Sequence, residues 1–332
     1  MGFEQMKMGD RTVRPALFLA PMAGLTHSAF RRLLSDFGGY GALFTEMVSS
    51  TAFLREQVDA SPYTKRRACE GNVIYQFRVS GEEKLEEVFA KAATLEALSL
   101  DVNLGCPAPE IQQQASGAAL FRDFPRLVSV LTRIRKVYDG TLTVKVRLGD
   151  DDQWREPFME RLRLFEEMGV AALTVHPRLS TEKLKRRARW EEFPWIAERT
   201  RLPLIGNGDI THPDEIEEHR EAFAPLQGLM LGRVAVTRPW IFREFAGMER
   251  LDLDLAEVWD RLYRYTLEDF PPEKAFGRMN EFSYHFAKNF IFGHLMHARL
   301  QKARTLDELR SEALTFLGSN PERRPERGLA FT

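Results

Sequence analysis

The chain has 332 residues and carries 47 Lys and Arg against 48 Asp and Glu, so its formal net charge is -1. This balance argues against a strongly basic nucleic-acid binder, although net charge conceals local clusters. Two cysteines cannot build a disulfide framework, which indicates a reducing compartment. We find neither a signal-peptide pattern nor an apolar run long enough for a membrane span, so we expect a cytoplasmic protein without membrane contact.

Eight short apolar segments predict β-strands, and stretches with the periodicity of amphipathic helices lie between them. The strand segments cover residues 16–22, 42–48, 72–79, 98–104, 142–148, 172–178, 203–210 and 228–234. Asp123 is expected to cap the helix that follows it, and Gly169 to end the next one. Eight strand–helix units over about 230 residues predict a (β/α)8 TIM barrel of α/β class. The competing fold, a doubly wound open sheet, usually has a Gly-rich turn after its first strand, which this chain lacks.

The pattern changes after Gly247, where helical periodicity continues without strands. Residues 254–270, 278–301 and 305–317 each predict one helix. We therefore expect a barrel domain over residues 1–247 and a small all-helical domain over residues 248–317. The Pro-, Gly- and Arg-rich tail, residues 318–332, is expected to be flexible.

Unusual residues stand at the end of every predicted strand. Since the carboxyl ends of barrel strands form one rim, these side chains are expected to meet there. For any one of them, an ordinary polar rim explains the residue equally well. The set is Pro21, Met22, Ala23, Glu46, Gln76, Asn103, Cys106, Lys145, Arg147, His176, Arg178, Asn207, Gly208, Asp209, Gly232 and Arg233.

Lys145 is the most informative of these residues. Alternation along its strand places Val144 and Val146 on one face and Lys145 and Arg147 on the other, toward the barrel mouth. A buried lysine needs a partner, which is either an anionic ligand or an ion pair with Glu46 or Asp101.

Two glycine-containing turns, GNGD at residues 206–209 and LGR at residues 231–233, follow the seventh and eighth strands. Barrels often hold a phosphate there, because glycines let backbone N–H groups approach its oxygens and an arginine adds charge. A phosphate site together with a cation near the mouth suits a mononucleotide such as FMN.

Cys106 lies in the turn after the fourth strand. A metal site is excluded because Cys69 is the only other thiol and no histidine spacing completes a ligand set. For Cys106 to act as a nucleophile it would need an adjacent base, and the local sequence offers none. The interpretations left are a proton donor above a flavin and an inert, buried cysteine.

The ordered motifs APMAGLTHSAFR, TEM, DVNLGCP, VKVRLG, TVHPR, IGNGDI and MLGR resemble the tRNA-dihydrouridine synthases. The resemblance covers about residues 20–242. The helical extension also suits that family, whose small C-terminal domain helps to hold tRNA, so the resemblance implies a tRNA-binding domain at residues 248–317. It also implies a flavoenzyme in which NADPH reduces FMN. Hydride from flavin N5 to uracil C6 and a proton from the Cys106 thiol to C5 would then reduce a tRNA uridine.

The resemblance also implies roles for individual residues. The flavin contacts would be Pro21, Met22, Ala23, Gln76, Lys145 and His176, and the phosphate side would be held by Asn207, Gly208, Asp209, Gly232 and Arg233. Asn103 and Arg147 would touch the flipped-out nucleotide. Extruding that base from the folded tRNA has an energetic cost that contacts in the pocket must offset.

The chain departs from the family pattern at several positions. Glu110 replaces a lysine after the cysteine, and Ala115 replaces the first glycine of a following motif. Both changes concern the Cys106 loop. The VHPRL segment and the loop after His176 also differ from the family pattern. These two differences affect the expected substrate loop and leave the expected flavin contacts unchanged.

A basic cluster follows the strand of His176 and is the best candidate for RNA contact. It comprises Lys183, Lys185, Arg186, Arg187 and Arg189, and Arg178 precedes it. Two other functions stay open: a flavin reductase of a small pyrimidine, similar to dihydroorotate dehydrogenase, and a non-catalytic RNA-binding barrel. The basic loop and the helical domain argue against the first. Nothing in the sequence demands a dimer, so we expect a monomer.

Overall fold

The computed structural model describes residues 3–327. It begins with a hairpin that the sequence analysis did not predict. Strands β1 (Met6–Met8) and β2 (Arg11–Val13) pair in antiparallel fashion, with Met6 opposite Val13. The hairpin turn at Gly9 lies near Thr141 and Ala171, which precede two barrel strands, so the hairpin covers the amino end of the barrel.

Eight parallel strands close into a barrel, as the sequence predicted. They are β3 (Leu17–Leu19), β4 (Ala42–Phe44), β6 (Val73–Arg78), β7 (Ser99–Leu104), β8 (Leu142–Arg147), β9 (Ala172–His176), β10 (Leu204–Asn207) and β11 (Gly228–Leu231). A further short strand, β5 (Val48–Ser49), pairs with the end of β6. Pairing of β11 with β3 and of β4 with β6 closes the ring, and every predicted strand segment contains one of the eight strands.

Helices connect the strands on the outside of the barrel. They are α1 (Ser28–Phe37), α2 (Ser50–Phe53), α3 (Leu85–Ala92), α4 (Pro109–Gln112), α5 (Ala118–Arg122), α6 (Phe124–Arg135), α7 (Arg155–Glu167), α8 (Glu192–Ala197), α9 (Asp214–Glu218), α10 (Arg220–Phe223), α11 (Arg233–Thr237) and α12 (Ile241–Phe245). The Asp123 carboxylate caps α6 by accepting the N–H of Arg126 at 3.1 Å, and Gly169 follows α7 with φ 62°. Both capping predictions are confirmed.

Two apolar cores hold the barrel. The larger one lies between the strands and the surrounding helices. The smaller one fills the barrel interior, where Phe18, Phe44 and Met230 pack with Met6 and Met8 of the hairpin. Because apolar side chains fill the interior from the amino end, polar side chains concentrate at the carboxyl end.

Four helices follow the barrel: α13 (Leu255–Asp269), α14 (Pro272–Phe286), α15 (Gly293–Leu300) and α16 (Leu306–Gly318). Helix α13 packs along α1, and the indole of Trp259 donates to Ser283 Oγ of α14 at 2.8 Å. These contacts join the helices to each other and to the barrel wall.

The prediction of one continuous helix over residues 278–301 is wrong. Helix α14 ends at Phe286 and is followed by a 3-10 turn, Ala287–Asn289. The Asn289 amide donates to the carbonyls of Phe286 and Thr237, which competes with continued helical bonding. Gly293 then approaches the Ala287 carbonyl so closely that a Cβ would collide with it, and α15 starts in a new direction.

Part of the C-terminal segment is held by hydrogen bonds. Ile291 N–H donates to the Glu322 carbonyl at 3.0 Å, and Arg324 N–H donates to the Asn289 carbonyl at 2.7 Å. Residues 328–332 of the tail that we expected to be flexible lie outside the described residues. Within residues 3–327, no helix is both long and apolar enough to cross a membrane.

Candidate active site

A cavity of about 210 Å³ opens at the carboxyl ends of the barrel strands. Strands β3, β8, β9, β10 and β11 and the turns after them supply its walls. The lining includes Pro21, Met22, Lys145, Arg147, His176, Arg178, Leu184, Asn207, Gly208, Asp209, Gly232 and Arg233. Of the predicted site residues, Ala23, Gln76, Asn103, Cys106, Lys183, Lys185, Arg186 and Arg187 lie outside this lining.

Lys145 presents its side chain to the cavity, while Val144 and Val146 are fully buried in the outer core. Burial and then the nearby Arg147 charge lower the pKa of Lys145 to about 8, against the opposing effect of Asp101 and Cys106. Within residues 3–327 its ammonium group makes neither a hydrogen bond nor an ion pair, so the ion pair with Glu46 or Asp101 is not formed. An unpaired cation in a cavity favours an anionic or electron-rich ligand.

The Asp209 carboxylate joins two cavity arginines. Its Oδ1 accepts from Arg233 Nη2 at 2.9 Å, and its Oδ2 accepts from Arg178 Nη2 and from the Ala188 N–H. The backbone of Asp209 is left-handed, with φ 56°. One carboxylate thereby fixes the positions of both guanidinium groups.

His176 lies between these cations as a neutral side chain. Burial first, and then the charges of Lys145 and the neighbouring arginines, hold its pKa well below the usual range. Arg178 Nη1 is 2.8 Å from His176 Nε2. Since a guanidinium group only donates, Nε2 accepts and the ring proton is on Nδ1.

Gly208 is required beside this histidine. Its φ is 109°, and a Cβ there would lie 2.7 Å from His176 Cδ2. The neighbouring Asn207 donates its side-chain amide to the Met230 carbonyl at 2.8 Å, which ties β10 to β11 at the rim.

Arg147 and Arg178 hold the loop after β9. Arg147 Nη1 donates to the carbonyls of Leu179 and Lys183 at 3.0 and 2.8 Å, and Arg178 Nε donates to the Arg186 carbonyl. The side chains of Lys183, Lys185, Arg186 and Arg187 are exposed and form no ion pair within the described part of the chain. The loop therefore presents four cations next to the cavity.

Two hydrogen bonds, one at the N–H and one at the carbonyl of Cys106, fix the turn that carries this residue. Its N–H donates to Asn103 Oδ1 at 3.1 Å, and its carbonyl accepts from the Ala118 N–H at 3.1 Å. Gly105 packs against β8, since a Cβ there would lie 3.0 Å from Arg147 N. Cys106 as a residue is half-buried, and it is absent from the apolar clusters that form the two cores.

A buried hydrogen-bond chain leads from the barrel interior to this turn. Thr143 Oγ1 donates to Asp101 Oδ1 at 2.7 Å, and Gln76 Nε2 donates to Asp101 Oδ2 at 2.7 Å. Asn103 Nδ2 then donates to Gln76 Oε1 at 2.9 Å, and Asn103 Oδ1 accepts the Cys106 N–H. Burial raises the pKa of Asp101 to about 6, although the hydrogen bonds and Lys145 oppose the shift.

Comparisons with known proteins identify the family of the chain. The family described as Dihydrouridine synthase (Dus) matches residues 18–313. The chain belongs to the dihydrouridine synthase family. It is 32% identical over 275 residues to tRNA-dihydrouridine synthase B of Pseudomonas putida, covering 82% of this chain and 80% of that protein. It is 33% identical over 242 residues to tRNA-dihydrouridine synthase B of Escherichia coli K12, covering 72% and 74%.

Solved structures with low sequence identity share the fold. Morphinone reductase superimposes with a TM-score of 0.53 at 11% identity, covering 75% of this chain and 90% of that one. The old yellow enzyme of Trypanosoma cruzi gives a TM-score of 0.52 at 8% identity, with 75% and 93% covered. At these identities the likeness shows the barrel fold alone. Family membership identifies the chain as an oxidoreductase of the dihydrouridine synthase type.

The two departures near Cys106 differ in their structural effect. Ala115, which the sequence analysis noted in place of a glycine, adopts a left-handed φ of 50°, the conformation that glycine adopts readily. Glu110 lies exposed on α4, away from the barrel interior. The change from glycine to Ala115 therefore leads to local backbone strain at this position.

Sequence reasoning missed three residues that shape the site. Asp101 was weighed only as an ion-pair partner of Lys145, and Thr143 and Leu184 were not considered. The signal for Asp101 was its position between Leu100 and Val102, on the same strand face as Asn103. Within residues 3–327, no three His, Cys, Asp or Glu side chains are grouped as metal ligands.

Proposed function

We propose that this chain is a tRNA-dihydrouridine synthase that reduces the C5–C6 double bond of a tRNA uridine. The observation that carries the proposal is the partly exposed Cys106 on a hydrogen-bonded turn after β7, the strand that pairs with the one carrying Lys145 of the cation-lined cavity, in a member of this family. The uridine must leave the folded RNA to reach such a cavity.

The residues of the cavity fit FMN, with NADPH as the reductant. The ammonium group of Lys145 is unpaired within residues 3–327 and lies where an electron-rich ring would find compensation. When bound, FMN would take a hydride from NADPH and supply it to uracil C6. Pro21, Met22 and neutral His176, which line the cavity, would contact the ring, and Ala23 and Gln76, which lie outside the present lining, would complete these contacts.

The phosphate of the cofactor would lie at the turns after β10 and β11. Gly208 and Gly232 both line the cavity, Gly232 has room beside its backbone, and Arg233 would supply the charge. A carboxylate repels a phosphate, so Asp209 would act by orienting Arg233 and Arg178 rather than by direct contact. Asn207 would act through its hydrogen bond across the strands.

Cys106 would give its thiol proton to uracil C5. The hydride at C6 and this proton at C5 together complete the reduction, and the sulfur regains its proton from solvent. General acid catalysis requires the donor to be held within reach of the carbon, which the Asn103 and Ala118 hydrogen bonds to the Cys106 peptide provide. Asn103 keeps one amide hydrogen for the substrate.

The exposed cations Lys183, Lys185, Arg186 and Arg187 would bind tRNA phosphates, with Arg147 and Arg178 holding their loop in place. Each neutralised phosphate releases counterions, so the affinity would fall steeply with salt. The helices after residue 247 would form a separate RNA-binding domain. A tRNA substrate places the proposed reaction in the cytoplasm.

The proposal is tested with purified protein and tRNA from cells that lack this gene. We expect a yellow protein that releases FMN on denaturation and forms dihydrouridine in that tRNA with NADPH, detected by mass spectrometry. A colourless protein that does not take up FMN would contradict the flavin proposal. Reduction of free uracil or orotate without activity on tRNA would favour the small-pyrimidine reductase instead.

A further inference from the structure

The corner between α14 and α15 exposes an unusual amount of apolar surface. Tyr284 is 49% exposed, Phe292 56% and Leu295 49%, whereas neighbouring Phe286 and Phe290 are buried. Some aromatic rings of this segment are therefore buried between the helices, whereas others are exposed to solvent. We call Tyr284, Lys288, Phe292, Leu295 and His297 the aromatic corner.

The aromatic corner combines these rings with groups that suit nucleic acid. Lys288 Nζ lies 4.8 Å from the centroid of the Tyr284 ring, and the His297 ring packs edge-on against Tyr284 at 5.4 Å. The sequence of α15, GHLMHARL, contains no acidic residue. Aromatic rings beside cations recognise single-stranded nucleic acid by base stacking and phosphate contact.

The aromatic corner is also connected to the cavity. Asn289, which follows α14, donates its side-chain amide to the carbonyl of Thr237 at 2.6 Å, the last residue of α11. The first residue of that helix, Arg233, lines the cavity. Helix α11 packs against α14 and against the 3-10 turn that follows it. Burial first, and then the Arg233 charge, lower the pKa of Lys288.

We propose that the aromatic corner stacks an unpaired base of the RNA substrate beside the nucleotide that enters the cavity. The inference rests on the proposed function and adds a binding surface to it. Drawing one nucleotide out of a folded RNA leaves neighbouring bases unstacked, and the exposed faces of Tyr284 and Phe292 can replace the lost stacking. The interaction is sequence-tolerant because every base has a π-face.

The test compares Tyr284→Ala, Phe292→Ala and the double variant with the wild-type holoenzyme on unmodified tRNA. We expect the double variant to raise KM for tRNA about 10-fold or more, with kcat for bound tRNA nearly unchanged. Because no charge is removed, the slope of log affinity against log salt should match the wild type. Tyr284→Phe keeps the ring and should keep the affinity.

Leu267→Ala is the matched control, because Leu267 is 41% exposed on α13 and lies outside the aromatic corner. Reversing the charges of Lys183, Lys185, Arg186 and Arg187 serves as a contrast. These variants should show a shallower slope of log affinity against log salt than the wild type. Thermal unfolding and flavin content of each variant exclude misfolding as the cause of a raised KM.

Two results would overturn the inference while leaving the proposed function intact. One is a double variant that forms dihydrouridine with the wild-type KM. The other is a wild-type dimer that the double variant loses in sedimentation without any change in tRNA affinity, since the aromatic corner would then bind a second copy. A wild-type protein that modifies no tRNA would instead contradict the proposed function.

Discussion

Asp101 and Gln76 are joined by a 2.7 Å hydrogen bond inside the barrel, and this bond sets the orientation of the amides above it. An ionised carboxylate only accepts, so Gln76 must turn its NH2 group toward Asp101 and its oxygen toward Asn103. Asn103 must then turn its own oxygen toward the Cys106 N–H. A carboxylate that does not touch the cavity thereby controls the turn that carries the thiol.

Replacing Asp101 tests this control. In Asp101→Leu the Gln76 NH2 loses its acceptor and the amides can flip, so we expect dihydrouridine formation to fall about 10²-fold. Asp101→Asn should keep most activity, because the Thr143 hydroxyl can accept from the new NH2 while the amide oxygen still faces Gln76. The measurement is the single-turnover rate on tRNA for both variants, and equal rates in the two variants would contradict the hydrogen-bond argument.

Lys145→Met is expected to make the flavin-free protein more stable and to weaken its binding of flavin. Removing a half-buried, partly desolvated cation that makes no hydrogen bond or ion pair within residues 3–327 should raise the thermal midpoint of the flavin-free protein by about 2–5 °C, because the cost of desolvating the ammonium group disappears. Flavin retention should fall at the same time. Differential scanning calorimetry and the flavin absorbance of the purified proteins measure the two effects, and a destabilised Lys145→Met protein would contradict the desolvation argument.

The same substitution gives a pH dependence of stability. The pKa of Lys145 is lowered from 10.5 in an exposed lysine to about 8 in the fold. Below pH 8 the lysine is protonated in both the folded and unfolded states, so its full destabilising effect is present. As the pH rises from 8 toward 10.5 the folded state releases its proton first, and the effect fades. The unfolding free energy of Lys145→Met should therefore exceed that of the wild type by most at neutral pH, and this difference should shrink above pH 8. A difference that grows with pH would contradict the argument.

Much of the barrel was predictable because its signal is local. Each strand is a short apolar run, and the alternation at Val144 and Lys145 correctly placed the cation on the inner face. Strand ends also converge by topology, which explains why a cavity lined by Lys145 and Arg233 could be expected without coordinates. The cap at Asp123 follows from the residue type alone.

The remaining features depend on contacts between distant parts of the chain. The break between α14 and α15 follows from the bond between Asn289 and Thr237, which are 52 positions apart. The acceptor role of Asp101 likewise needs Gln76 and Thr143 from neighbouring strands. Periodicity within one segment does not contain this information, so the sequence predicted a continuous helix and left an ion pair of Lys145 with Asp101 open as an alternative.

The turn after Cys106 offers a pair of matched substitutions. Ala115→Gly should raise the unfolding free energy by about 0.5–1 kcal/mol, because glycine adopts the φ of 50° without strain. Gly117→Ala should lower it and slow dihydrouridine formation, since Gly117 has φ 62° and a Cβ there would lie 2.8 Å from the Cys106 carbonyl oxygen. Denaturant unfolding curves give the two free energies, and a stabilised Gly117→Ala protein would refute the steric argument.

Asp209→Asn should loosen the basic loop. The substitution removes the charge that holds Arg178 and Arg233 and weakens the acceptor of the Ala188 N–H. We expect faster amide hydrogen exchange in residues 178–189 and a higher KM for tRNA. Asp139→Asn serves as a surface control of the same chemical change. Unaltered exchange in the loop would show that Asp209 does not hold it.

In the proposed reaction the Cys106 thiol delivers the proton that completes uracil reduction. The most direct measurement is dihydrouridine formation in unmodified tRNA by the FMN-loaded wild type and by Cys106→Ala, each supplied with NADPH. We predict that the variant keeps its flavin and its reduction by NADPH but forms dihydrouridine about 10²–10⁴-fold more slowly. A variant that forms dihydrouridine at the wild-type rate would contradict the account.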